Sequence, residues 1–265
     1  MKILIDKKTG VSMRHLGYGL MALLTVISMP AQAQFIGTDL SSIHKITPKE
    51  DGTFKGSNIA AGGTLNTGNT SSLNINASGL LEYTHHQWVD SFNAMYQREQ
   101  TRETGLKVNR TFLQGQSVYN LDPKQFLYTQ LNYTRDKFDG YNYIVNWAVG
   151  YGRNVEMPKN MELSWMAGPG VNQSQDINNV KKTSPSVEGA IEYTWAIRSD
   201  LKFSENLQSI ATNNNVRTIS TTGLSTKIAG NLNLELMFQA INDNHPPAGK
   251  TGFNTITSLQ LSYQV

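Results

Sequence analysis

The sequence predicts an all-β chain, a transmembrane antiparallel up-and-down β-barrel of about twelve strands. Three observations predict it. The N-terminus reads as an export signal, the rest alternates in two-faced segments closed by turn residues, and the aromatic residues gather near segment ends.

Residues 1–33 carry the marks of a cleavable signal peptide. Lys2, Lys7, Lys8, Arg14 and His15 form a charged start, Leu20 to Met29 an apolar core, and Pro30 breaks it. Ala31-Gln32-Ala33 then supplies a small-x-small cleavage site. The apolar core is too short to span a bilayer as a helix. Met1 and Met13 both open a complete signal, so the true start codon stays open. Cleavage removes four basic residues and Asp6 from the 23 basic and 20 acidic of the whole chain, and the mature protein is neutral. A nucleic-acid partner therefore loses its electrostatic basis. There is no Cys, which excludes disulfides, cysteine metal sites and a cysteine-linked lipid anchor.

Residues 34–53 have no sustained period and read as a periplasmic N-terminal segment. From 54 to 265 the period is two. Leu232, Leu234, Leu236 and Phe238 oppose Asn233, Glu235 and Gln239, and Val187, Ile191, Tyr193 and Trp195 oppose Glu188, Glu192 and Thr194. Successive side chains of a strand point to opposite faces, so each segment has one apolar and one polar surface. Turn signals recur at Thr67–Thr70, His85-His86, Thr101–Gly105, Asp122–Lys124, Lys137–Gly140 and Glu156–Asn160, then at Ser174–Thr183, Arg198–Asp200, Asn213–Asn215, Gly230-Asn231 and Asn242–Gly252. Eleven turns imply twelve strands. With the N-terminus in the periplasm, the short turns fall on that side. The two longest, Ser174–Thr183 and Asn242–Gly252, become extracellular loops. Tyr83, Trp88, Tyr119, Phe126, Tyr141, Trp195, Phe203 and Tyr263 are the expected aromatic girdles. Asp90 and Glu205 fall on the apolar parity, so each is either at an interface or beside a register-shifting bulge.

Three local features resemble the YdiY-like salt-induced outer membrane protein family, a domain of unknown function. They are Gly62–Thr70, then Tyr133–Gly140 followed by Gly150-Tyr151-Gly152, and the late Asn242–Lys250 stretch. The resemblance covers about 54 to 265 and implies a Gram-negative outer-membrane address, with lipid and the barrel-assembly machinery as partners. It carries over no activity. Leu259, Leu261, Tyr263 and Val265 form the membrane-insertion signal, with Val265 where such barrels usually end in Phe.

The candidate site is the lumen face: Glu82, Arg110, Gln114, Gln130, Glu162, Glu188, Glu192, Lys202, Lys227 and Glu235. In an open pore these residues tune the passage of small ions or solutes. In a closed one they pair and fill the interior. The expected function is a narrow polar channel or an envelope-stress structural barrel, without catalysis, metal or cofactor. Adhesion through the extracellular loops is the alternative, and a lipid-modifying enzyme a weaker one. Nucleophilic catalysis needs a nucleophile, a base and an orienter in contact. His44, His85, His86 and His245 lie in the lead-in, turns and loops, away from mid-strand serines. Adjacent His85 and His86 point apart on extended chain. Gly168-Pro169-Gly170 reads as a strand kink rather than an anion loop, because no helix follows it.

Overall fold

The protein is described by a computed structural model, which describes residues 52, 57–66, 72–101, 105–136, 140–247 and 252–264. The signal peptide, most of the 34–53 segment, the Thr67–Thr70 turn and Val265 lie outside the described residues. Twelve strands follow in order: β1 Asn58–Asn66, β2 Ser72–His85, β3 Trp88–Thr101, β4 Gly105–Asp122, β5 Gln125–Asp136 and β6 Tyr141–Val155. Then come β7 Met161–Asp176, β8 Lys181–Arg198, β9 Leu201–Thr212, β10 Val216–Ala229, β11 Leu232–Asp243 and β12 Phe253–Gln264. Each pairs antiparallel with its neighbours in sequence, and β1 pairs with β12, which closes the sheet into a barrel. The seam pairs Asn58–Ala61 with Leu261–Gln264, so every strand has a partner on both sides, as a sheet in hydrocarbon requires.

The turns explain the register. At the end where β1 begins, four of the five hairpin connections are two residues long: His86-Gln87, Pro123-Lys124, Ser199-Asp200 and Gly230-Asn231. His86 and Gly230 adopt positive φ, as tight hairpins require. This end is called the near end below. The opposite, far end has longer connections, the longest between Asp243 and Phe253. The expected loop Ser174–Thr183 is mostly strand. β7 runs to Asp176 and β8 starts at Lys181, leaving a turn of Ile177 to Val180. Asp176 tightens it by accepting the amides of Asn178 at 2.8 Å and Val180 at 2.9 Å.

Every strand presents a large apolar residue outward, from Ile59 on β1 through Leu81, Phe92, Leu113, Leu131, Trp147, Trp165, Ile191, Leu207, Leu224 and Leu236 to Leu261 on β12. A soluble protein does not ring itself with exposed hydrophobic side chains, whereas a membrane-spanning barrel must. Rings gather toward the near end, with Trp88 on Tyr119 at 4.9 Å and Tyr151 on Trp165 at 5.8 Å. Two of the eight expected girdle residues are corrected. Phe126 points inward and is 2% exposed, and Tyr141 lines the lumen at the far end. Phe126 turns in because Gly152 on β6 leaves a slot for its ring; a Cβ at Gly152 would strike that ring.

Asp90 and Glu205 both face outward, and no register shift occurs beside either. The bulge alternative is therefore excluded. Asp90 sits next to the near-end turn and accepts the Ser117 hydroxyl at 2.5 Å. Glu205 lies further along its strand and accepts the hydroxyls of Ser220 at 2.7 Å and Thr222 at 2.6 Å. At Gly168-Pro169-Gly170 strand β7 runs on in unbroken register, so no bulge forms there. The β6–β7 ladder passes from Ala148↔Gly170 to Tyr151↔Ala167 with no pairs between. A Cβ at Gly168 or Gly150 would meet the carbonyl of Val149 or of Ala167, so only glycine allows this approach.

Candidate functional site in the barrel lumen

The inward residues divide the lumen into two chambers with a packed layer between them. Glu188 on β8 is the centre of that layer and is 0% exposed. Its carboxylate accepts amide hydrogens from Asn146 on β6 at 2.6 Å, Gln130 on β5 at 2.8 Å and Gln208 on β9 at 2.9 Å. Gln116 on β4 donates in turn to Gln130 at 2.9 Å, and Ser186 donates to Asn146 at 3.2 Å. The network crosses the bore from β4–β6 to β8–β9. Gln239 donates to Thr221 at 3.0 Å, and Met95, Met237 and Ile241 pack together on the other side. A second apolar cluster of Val118, Phe126, Tyr128, Ala148, Met166 and Ala190 fills the near half beside β4–β8.

A buried carboxylate is costly unless its lone pairs are filled. Here three neutral amides fill them, and among the described residues no basic side chain pairs with Glu188. The layer thus closes the bore around a carboxyl group whose acceptors are taken up by amides from three other strands.

The near chamber measures about 540 Å³ and is lined by Glu162, Glu192, Lys202, Lys227 and Glu235 among others. Glu235 accepts an amide of Gln260 at 2.8 Å. The far chamber measures about 370 Å³ and is lined by Arg110, Lys182, Arg217 and Asp243 together with amide and apolar side chains. Arg217 lies 3.6 Å from Asp243. Over this chamber the 244–245 stretch folds onto the β9–β10 turn. Asn244 accepts the amide of Val216 at 2.7 Å, and the His245 amide donates to Asn215 at 3.3 Å.

The ten residues predicted for the lumen therefore separate by height. Glu188 and Gln130 belong to the central layer. Glu162, Glu192, Lys202, Lys227 and Glu235 line the near chamber, and Arg110 the far one. Glu82 and Gln114 are buried inside, and the Glu82 amide donates to the Ser57 hydroxyl oxygen at 3.1 Å. Sequence reasoning missed Gln116 and Gln208, although each shares the inward parity of a predicted residue on its own strand, and Asn146 on β6, where no lumen residue was predicted. It also missed the apolar lumen residues Met95, Met166 and Met237, whose side chains break the polar pattern of that face. Leu259, Leu261 and Tyr263 of the expected insertion signal are exposed on the outer face of β12. On the same outer surface His85 lies 3.6 Å from Asp90, whose other oxygen takes the Ser117 hydroxyl. The carboxylate stands between serine and imidazole, the reverse of the order that a nucleophile and its base require.

A model of the family "Protein of unknown function, DUF481" matches residues 59–265. The Escherichia coli (strain K12) protein YdiY is 22% identical over 218 residues, covering 80% of this chain and 83% of that protein. Among solved structures, the NanC porin aligns over 78% of this chain and 98% of its own, with 11% identity and a TM-score of 0.49. An outer membrane channel from Pseudomonas putida F1 aligns over 83% and 100%, with 8% identity and a TM-score of 0.49.

Proposed function

This chain belongs to the DUF481 family, and we propose that it is an outer-membrane barrel whose lumen is a narrow channel for small ions or solutes, interrupted at mid-height by the Glu188 layer. The outward apolar ring supports the membrane address, because lipid is the solvent that such a surface fits. The near end, with its two-residue turns, faces the periplasm in this reading, and the far end faces outside. The observation that carries the channel is the division of the bore. Two chambers with charged walls approach each other from opposite ends, and a hydrogen-bonded side-chain layer lies between them.

The reading is non-enzymatic and calls for no cofactor. Loop-mediated adhesion is weaker, since the Ile177 to Val180 turn offers little surface. Envelope-stress induction belongs to the same proposal as a condition of expression.

Planar-bilayer recording on the full mature protein tests it. The wild-type barrel is expected to show small, infrequent current steps. Glu188→Ala removes the acceptor that three amides share, so the layer loosens and water enters. Larger, sustained steps are expected from Glu188→Ala. If that variant folds, as judged by heat-modifiable gel migration, and neither it nor the wild type passes current, the channel reading fails and a structural barrel remains.

A further inference from the structure

We propose that the outer wall of β3 and β4, close to the near end, binds one membrane phospholipid whose headgroup ends in a primary ammonium. The inference rests on the membrane address of the barrel and not on the channel in its lumen. Two adjoining features of the outer surface carry it, a bare groove and a carboxylate among rings. The groove lies over Gly115 on β4, where a Cβ would meet nothing within 4 Å. Its cross-strand neighbours on that face are Phe92 on β3 and Leu131 on β5, both half-exposed. Leu113, also outward, stands on the far-end side of the gap. A hydrocarbon chain laid over Gly115 therefore has apolar side chains on both flanks and fills a dip one side chain deep.

Two residues toward the near end, on the same face, the groove meets Ser117. Its hydroxyl donates at 2.5 Å to one oxygen of Asp90, which stands opposite it on β3. The other Asp90 oxygen has only His85 near it, at 3.6 Å, beyond hydrogen-bond reach. Among the described residues no lysine or arginine pairs with Asp90, and 47% of its side-chain surface stays open. Glu205, the other outward carboxylate, has both oxygens taken by hydroxyls of β10. Rings surround Asp90. Tyr83 stands opposite it on β2 and stacks on His85 at 5.5 Å, and Trp88 packs on Tyr119. Tyrosine and tryptophan favour the headgroup level of a bilayer, so the open carboxylate oxygen is held where headgroups lie. An ammonium there donates a charge-assisted hydrogen bond to Asp90 and is attracted to the ring faces. A headgroup of net negative charge meets a like charge instead, and a quaternary ammonium has no N–H to donate. One acyl chain of the same lipid then runs from Ser117 into the groove over Gly115.

Native mass spectrometry of the full mature barrel tests the site, with dioleoyl phosphatidylethanolamine offered in equimolar mixture with the phosphatidylglycerol or the phosphatidylcholine of the same chains. One phosphatidylethanolamine should be retained, about fivefold in preference to phosphatidylglycerol, and also ahead of phosphatidylcholine. Asp90→Asn should abolish the preference over phosphatidylglycerol. Gly115→Leu puts a side chain into the groove and should lower retention of every lipid. Both variants are checked for folding by heat-modifiable migration. Equal retention of phosphatidylethanolamine and either other lipid by the wild type overturns the site. So does a folded Asp90→Asn that keeps the preference, or a folded Gly115→Leu that retains as much lipid as the wild type. A barrel that selects phosphatidylethanolamine but never conducts keeps this site and loses the channel, and one that conducts without selecting does the reverse. A chain that stays out of vesicles of every composition removes the membrane address, and this site with it.

Discussion

Phe126 and Gly152 show how one missing side chain aims another. The ring of Phe126 occupies the space over Gly152, and the pair sits within the apolar cluster of the near half. Gly152→Val should expel the ring or bend β6, at a cost of about 1–3 kcal/mol. Urea unfolding in detergent micelles, followed by the heat-modifiable gel shift, measures it; an unchanged midpoint would show that the slot is not needed. Lys124 and Glu156 give a second residue-scale expectation, on the surface of the near end, where they form an ion pair. The hydrogen bond and charge of Lys124 hold the Glu156 carboxyl below the usual carboxylate range. A folded-state pKa below the unfolded one means that any stabilisation is present above the unfolded value. It fades as pH falls through the lower folded value. Both side chains are more than half exposed, so the effect on stability is small. Carbon-detected titration should find Glu156 ionising lower in the wild type than in Lys124→Met. Phe126 also marks a limit of reading. At the start of a strand it looks like a girdle ring, yet it shares the parity of Gln130 four residues on and fills the lumen side with it.

The strands themselves were legible, because lipid on one side and polar side chains on the other force a period of two over the length of each. Their far-end limits were not. β7 and β8 continue past Gln173, Ser174 and Gln175, where both faces are polar. A hairpin that rises out of the bilayer meets water on both sides, so it loses the alternation while keeping its ladder and looks like a loop. The turn at its tip is built by Asp176, which accepts two backbone amides. Asp176→Ala should raise hydrogen exchange at Asn178 and Val180 and cost the hairpin about 1 kcal/mol locally. Amides further down β7 and β8 should exchange as before, and uniform loss along both strands would contradict a local role.

At the scale of the whole molecule, parity named Glu188, five charged residues of the near chamber and Arg110 of the far one, but not Lys182, Arg217 or Asp243. It could not show that the bore is partitioned. Partition depends on which residues from non-adjacent strands meet at one height, and that is set by the stagger of the closed sheet. Gln130 and Glu188 meet in this way, as do Met95 and Met237. One outward feature bears on how such a barrel comes into being. Glu205 faces away from the lumen, and its carboxylate is satisfied by Ser220 and Thr222, which belong to the next strand. Entering hydrocarbon alone, β9 would carry an unsolvated carboxylate, and β10 would carry two hydroxyls without acceptors. Entering together, they neutralise each other's cost, so this hairpin must zip before or while it crosses. The double change Ser220→Ala with Thr222→Val should therefore slow insertion into vesicles, read as delayed appearance of the heat-modifiable band, while unrelated hairpins set no such order.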